Sequence, residues 1–243
     1  YFTILIMKIG FLGDIFPGEQ HYTINYGILS QFKSHNGDKW EKDIKSITNE
    51  CDYVIGNLES PLVRPDKAQK KIFRGDPEFA LFLKKVGINI LNIANNHILE
   101  HGSEGFYNTI KILHNYDIDV IGYVHNNQPV IVYKNYNGIK IGIAGFSNVD
   151  LDKIDNNNHF PVLDDFNVIN TLSRMKSDRV DYKILVFHWG DEYINVPSLD
   201  QRLSAQKYID KGASIIIGHH PHVIQPYEEY NDGHIFYSLG NFI

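Results

Sequence analysis

The sequence has a single cysteine, Cys51, among 243 residues. No intrachain disulfide can form, and no thiolate cluster can hold a metal. Basic charge is also scarce: 23 Lys and Arg stand against 29 Asp and Glu, a formal net charge of -6. A general nucleic-acid binder needs the opposite balance to displace counterions, so nucleic acid is excluded as a partner. No apolar run is long enough to span a bilayer, which takes about 20 residues. The apolar start "YFTILIMKIGFLG" lacks the basic opening and cleavage site of a signal peptide. With neither export signal nor anchor, the cytoplasm is the default location. Met7 is a candidate natural start, and "IFYSLGNFI" ends inside an apolar run, as a truncated chain would. No linker rich in Pro, Gly or Ser divides the chain, so 1–243 reads as one domain.

What is present is a 43% hydrophobic sequence in which short β-branched runs alternate with amphipathic segments. Strands are expected at "ILIMKIGFL", "YVIG", "INILNIA", "DVIGY", "PVIVYKNYNGIKIGIAGF", "YKILVFH", "ASIIIG" and "HIFYSL", the fifth folding back as a hairpin at "YNG". Helices are expected in "GDPEFALFLKKVG", with Asp76 capping and Gly87 closing, and in "SEGFYNTIKILHNY" and "DDFNVINTLSRMKSD". A fourth, "SLDQRLSAQKYIDKG", opens on a Ser198–Gln201 capping box. This alternation predicts an α/β fold with a largely parallel sheet buried on both faces. "DKIDNNNHFP" reads as a polar surface loop.

In α/β sheets, ligands collect beyond the carboxyl ends of the strands. Asp14 follows the first strand, Glu59 the second, and Asn95, Asn96 and His97 the third; His188 follows "KILVF", and His219, His220 and His222 follow "SIIIG". A lone histidine at a strand end is ordinarily a hydrogen-bonded structural residue. Five ends each bearing an oxygen or imidazole are better explained by a shared ion. The mixed oxygen and nitrogen set suits Mn, Fe or Zn better than Ca or Mg. Its size allows one or two divalent ions, and a pair can stabilise both ends of an in-line displacement at phosphorus.

The strings "GDIF", "GNLESPL", "FRGDPEF", "NIANNH", "HWGDEY", "GHHPHVIQP" and "YSLGNF", in that order, resemble the CapA family of capsule, or poly-γ-glutamate, synthesis proteins. That family lies within the calcineurin-like metallophosphoesterase superfamily. The resemblance implies a four-layer αββα sandwich, two packed mixed sheets flanked by helices, with a metal site at one edge. It implies Asp14, Glu59, Asn96, His188, His220 and His222 as metal ligands, Glu59 in the bridging position, and His97 as the catalytic acid or charge stabiliser over a phosphoryl group. Three departures stand out: Phe16 replaces an expected ligand histidine, the bridging residue is Glu, and Ile98 follows His97 where an acid is expected. His219 is a reserve ligand.

Arg74 in "FRGDPEF" is a candidate anion grip for substrate, within a basic stretch that also holds Arg64, Lys67, Lys70 and Lys71. Glu192 is a candidate to orient a ligand histidine or contact substrate. His21, His35, His101, His114, His125, His159 and His234 read as ordinary surface or loop residues.

The leading expectation is a metal-dependent phosphoesterase-like hydrolase of capsule or poly-γ-glutamate biosynthesis. Its partner would be an anionic polymer or phosphorylated envelope intermediate, together with other capsule-synthesis proteins. The competing one is a depleted scaffold that handles polymer, and a third is metal-assisted cleavage of the polymer's amide bonds. The resemblance also implies a membrane-associated or cell-surface location as the alternative to the cytoplasm.

Overall fold

The computed structural model describes residues 7–151 and 159–243. The first half builds a four-stranded sheet from β1 (Ile9–Ile15), β2 (Tyr53–Leu58), β3 (Ile90–Asn92) and β4 (Asp119–Ile121), all parallel and in that order. Its connections carry α1 (Ile28–His35), α2 (Asp38–Thr48), α3 (Phe79–Lys85) and α4 (Gly102–Asn115). A small ribbon, β5 (Val124–His125) and β6 (Gln128–Pro129), leads to the second half. There β7 (Val132–Tyr136), β8 (Ile139–Ser147), β9 (Tyr182–His188), β10 (Ile215–His219), β11 (Tyr227–Tyr230) and β12 (Gly233–Phe236) form a six-stranded mixed sheet ordered β11-β12-β10-β9-β8-β7. Helices α5 (Asp165–Ser177) and α6 (Leu199–Asp210) cross between its parallel strands.

The period-two alternation of strand side chains assigns the layers. In β2, Val54 and Leu58 join a core beneath α1–α4, while Ile55 faces the other way, into the core between the sheets. In β8 and β9, Ala144, Phe146, Leu185 and Phe187 pack under α5 and α6, while Ile141, Ile143, Ile184 and Val186 meet Ile55, Ile90 and Ile121. The order is therefore helices, sheet, sheet, helices. The sandwich is as expected, but the four-stranded sheet is purely parallel, not mixed. Its short β-branched strands read as continuous apolar runs because both faces are covered.

Local chemistry behaves as read in several places. Asn137 and Gly138 turn β7 into β8 with φ of 50° and 87°, the left-handed pair of a tight hairpin. The Ser198–Gln201 capping box is present, a feature worth about 1 kcal/mol. Asp76 instead organises the turn before α3: its carboxylate accepts from the Glu78 backbone N–H at 3.1 Å, and the helix starts later. Helices α1 and α2 were not expected. Two histidines read as surface residues are buried. His101 accepts from the Gln69 backbone N–H and pairs with the Ile72 carbonyl, while His159 packs against Phe106 and Tyr107. Within "DKIDNNNHFP", residues 152–158 lie outside the described residues, and Phe160 is core. Among the described residues, no helix is long and apolar enough to cross a membrane.

The sheets are also joined along one edge by the chain after β12. Asp14 donates its backbone N–H to the Gly240 carbonyl at 2.8 Å, and Phe242 donates back to the Asp14 carbonyl at 2.8 Å. Gly13 permits that approach, because a Cβ there would sit 2.1 Å from the Gly240 oxygen.

Candidate metal centre

The carboxyl ends of β1, β2, β3, β9 and β10 converge between the two sheets and bring most of the sequence-read ligand types together. Asp14 is 1% exposed. Its Oδ1 lies 3.1 Å from His219 Nδ1, and its Oδ2 lies 3.4 Å from His222 Nδ1. Oδ2 also accepts the His220 backbone N–H at 3.2 Å. Glu59 sits opposite, with one oxygen 3.5 Å from His188 Nε2 and 3.7 Å from His222 Nε2. His188 Nε2 is in turn 2.9 Å from the Asn96 side-chain oxygen. Two donors about 2.1 Å from one ion would stand about 3.0 Å apart at right angles and about 3.4 Å apart at the tetrahedral angle; the Asn96–His188, Asp14–His222 and Glu59–His188 pairs stand 2.9, 3.4 and 3.5 Å apart.

Three groups of potential ligand atoms result, each with all members within 4.8 Å: Glu59, His188 and His220; Asp14, Glu59 and His222; and Glu192, His220 and His222. Glu59 belongs to two of them. His219 belongs to none and stands beside Asp14.

Backbone strain sharpens the cluster. His220 and His222 have φ of 96° and 58°, flanking Pro221, and Tyr193, whose N–H donates to the Pro221 carbonyl, has 61°. Left-handed backbone at non-glycine residues costs on the order of 1–3 kcal/mol each and persists where packing imposes it. The backbone of the "HHPH" run, whose first histidine ends β10, thus turns the His222 imidazole toward Asp14 and Glu59 and the His220 imidazole toward Glu59.

The electrostatics of the cluster follow from its burial and its two carboxylates. Burial, with the nearby Asp14 and Glu192 carboxylates, pushes Glu59 well above the usual carboxyl range. Burial acts in the same direction on Asp14, yet the His219 and His222 imidazoles hold it well below its ordinary value. Desolvation pushes His188 and His220 down, favouring the neutral, ligand-competent imidazole. His222 is raised: burial lowers it, but Asp14, Asn241 and Glu192 together outweigh burial.

Sequence reasoning missed three supports. Asn57 is fully buried, donates to Asp14 Oδ1 at 2.8 Å and lies 3.3 Å from His188 Nδ1. Its own oxygen accepts from Asn92 at 2.9 Å. The signal was its place two residues before Glu59, on the same strand face. Asn241 holds His222 Nδ1 at 2.8 Å from the segment after β12. Glu100 lies 3.1 Å from His97 Nδ1 and pairs with Lys70. The acid expected directly after His97 is therefore supplied three residues on, by a turn closed from Glu100 N–H to the His97 carbonyl. His97 is also stacked on Phe73, centroids 4.6 Å apart, with Phe16 edge-on at 6.3 Å.

Although burial raises it, His97 and Lys70 hold Glu100 down at about 2. A carboxyl depressed on folding contributes stability that is complete above its unfolded pKa and lost as pH falls through the folded value. With partial exposure screening the pair, we expect about 1 kcal/mol to disappear between pH 4.5 and 2. Glu100→Gln should flatten that limb of a Tm-against-pH curve; an unchanged limb would remove the pair from the stability account.

Two cavities flank the cluster. The larger, about 550 Å³, is lined by Asn96, His220, Asp191, Glu192 and Asp200, with no Lys or Arg among its described lining residues. The smaller, about 230 Å³, is lined by Glu59, His97, His222, Phe16, Tyr22 and Tyr193. Arg74 lines neither. It borders a third, basic cavity.

Residues 8–243 match the model of the bacterial capsule synthesis protein family PGA_cap. The capsule biosynthesis protein CapA of Bacillus anthracis is 37% identical over 83% of this chain and 53% of its own length. The PGA biosynthesis protein CapA of Bacillus subtilis strain 168 is 32% identical over 98% of this chain and 63% of its own. The chain thus spans between half and two thirds of the length of these curated relatives. Among solved structures, a Staphylococcus aureus protein assigned as a 5'-nucleotidase, in complex with alpha-ketoglutarate, superposes with a TM-score of 0.62 at 16% identity, over 95% of this chain and 48% of that one. That likeness concerns the fold, which is of the metallophosphoesterase type. With the family model matched along nearly its whole length, this chain belongs to the bacterial capsule synthesis protein family, PGA_cap.

Proposed function

We propose that the chain is a divalent-metal-dependent, phosphoesterase-like hydrolase of capsule or poly-γ-glutamate biosynthesis. The observation carrying this reading is Glu59: its carboxylate is 1% exposed, and neither oxygen has a hydrogen-bond partner among the described residues. An orphaned buried carboxylate beside a second carboxylate is costly. It is costly no longer if a cation sits between Glu59 and the imidazoles around it. The donor set therefore fits a metal.

Asp14, Glu59 and His222 would hold one ion, and Glu59, Asn96, His188 and His220 a second, with Glu192 completing the shell from the larger cavity. A divalent ion there supplies a Lewis acid for a phosphoryl oxygen and lowers the pKa of water. The chain's own groups do the rest. His219 and Asn57 fix Asp14 as an oriented carboxylate, and Asn57 sets the His188 ring. His97, held between Glu100 and the Phe73 face at the mouth of the smaller cavity, is placed to donate a proton to, or stabilise charge on, a leaving oxygen. Phe16 closes that cavity with an apolar ring where an imidazole was expected. This favours the scaffold reading only if it removes the metal.

The test is elemental analysis of protein purified without chelator, with and without incubation in Mn, Fe or Zn. One to two equivalents are expected. A chain free of metal under every condition would end the hydrolase reading and leave the polymer-handling scaffold.

A further inference from the structure

The strongest feature outside the metal centre is a cavity of about 520 Å³ between α1 and the loop that follows β2. Lys33 lines it from α1, Lys70, Lys71 and Arg74 line it from the loop, and Glu19 is the only acidic residue among its described lining residues. Glu19 is already engaged: its carboxylate accepts the Ser30 backbone N–H at 3.3 Å. Lys70 is engaged by Glu100. Lys33, Lys71 and Arg74 have no ion-pair partner among the described residues.

Arg74 is the telling residue. It is 8% exposed, one guanidinium nitrogen donates to the Val63 carbonyl at 3.2 Å, and its Nε has no hydrogen-bond partner among the described residues. Burying a guanidinium without a counter-charge is expensive unless a ligand supplies one. The exposed Arg64, by contrast, pairs with Asp66 at 3.4 Å in solvent.

We propose that this cavity is an anion site that holds a segment of acidic polymer carrying repeated carboxylates, apart from the metal centre. The cations come from two separate elements, α1 and the loop after β2, an arrangement that suits charges spaced along a chain. The large cavity beside the metal ligands has no described cation, so a polyanion finds its charge complement on this side of the molecule. The sites are physically linked: Lys70 reaches from the cavity loop to Glu100, which holds His97, and Phe73, next to Arg74, stacks on His97. Polymer held here would lie next to the face that carries His97.

The experiment is fluorescence anisotropy with a labelled γ-linked glutamate decamer, read at low and high salt. Wild type should bind, and binding should weaken as salt screens the cations. The Lys33→Glu/Lys71→Glu double variant alters two exposed side chains and should fold. Exchanging two surface attractions for two repulsions should weaken binding about tenfold or more. Arg74→Lys, which keeps the charge but loses the planar fork, should weaken it less. His222→Ala should bind the decamer as wild type does, whatever its metal content. Unchanged affinity in the double variant would overturn the site. So would loss of binding in His222→Ala alone, or displacement by inorganic phosphate more readily than by unlabelled decamer.

Discussion

Replacing His188 by alanine is expected to lower metal-supported hydrolysis of an aryl phosphate ester by more than about 100-fold. Changes to groups that merely orient metal ligands typically cost 10- to 100-fold, and a direct ligand should exceed that range. His188 is fully buried, ends β9 in the middle of the six-stranded sheet, and meets Glu59, Asn96 and His220 at once. No neighbour can replace its nitrogen without moving a strand. His97→Ala provides the contrast: it should retain bound metal and lose turnover, because His97 faces the smaller cavity and is held by Glu100, not by the carboxylate pair. Rate and metal content are measured on the same preparations. If His188→Ala keeps full metal content and wild-type rate, the assignment of Glu59, His188 and His220 to one ion fails. If His97→Ala loses metal as completely as His188→Ala, then His97 belongs among the ligands and its role as acid is withdrawn.

The strand ends were legible because each demands an unusual residue where a continuous apolar run stops. "KILVFH" and "SIIIGHH" leave little doubt about where a buried parallel strand gives out, and the ligand types stand there. What supports them was harder to see. Glu100 reaches His97 only because a turn closes between them, and turn geometry is not written in the spacing alone. Asn241 reaches His222 because the last segment lies along β1, a pairing 227 positions apart in sequence between Asp14 and Asn241. Helices α1 and α2 escaped notice for a local reason. Both start at glycines, Gly27 and Gly37, with no side-chain cap, and each buries few residues: Leu29 and Phe32, then Ile44 and Thr48. Their N-terminal punctuation is missing and their apolar stripe is thin. His101 and His159 were misread because a histidine satisfied by backbone groups or packed on aromatics leaves no pattern in its neighbours.

Asn57 carries the second large effect. It joins three strands at their carboxyl ends: its amide nitrogen serves Asp14 from β1 and approaches His188 from β9, and its oxygen takes hydrogen from Asn92 on β3. Asn92 is confined in turn, since Gly145 on β8 leaves room for its oxygen where a Cβ would come within 2.0 Å. Asn57→Leu keeps the volume and removes both functions of the amide. Asp14 would then lose its Asn57 donor, keeping only His219 beside Oδ1, and Asn92 would keep only the Ala94 carbonyl for its two amide hydrogens, at a cost of roughly 3 kcal/mol inside the sandwich. For a chain of this size, that corresponds to a fall in Tm of about 6–12 °C. The same change frees Asp14 and His188 to rotate, so metal affinity should fall about 10- to 100-fold. Calorimetry and metal titration on the folded fraction separate the two consequences. A Tm within about 2 °C of wild type would show that water satisfies these groups and that the amide network is dispensable. A large drop in Tm with unchanged metal affinity would confine Asn57 to joining the sheets. Both falling together is the expected result, because the groups that tie the two sheets at this edge are the same ones that orient the proposed metal ligands.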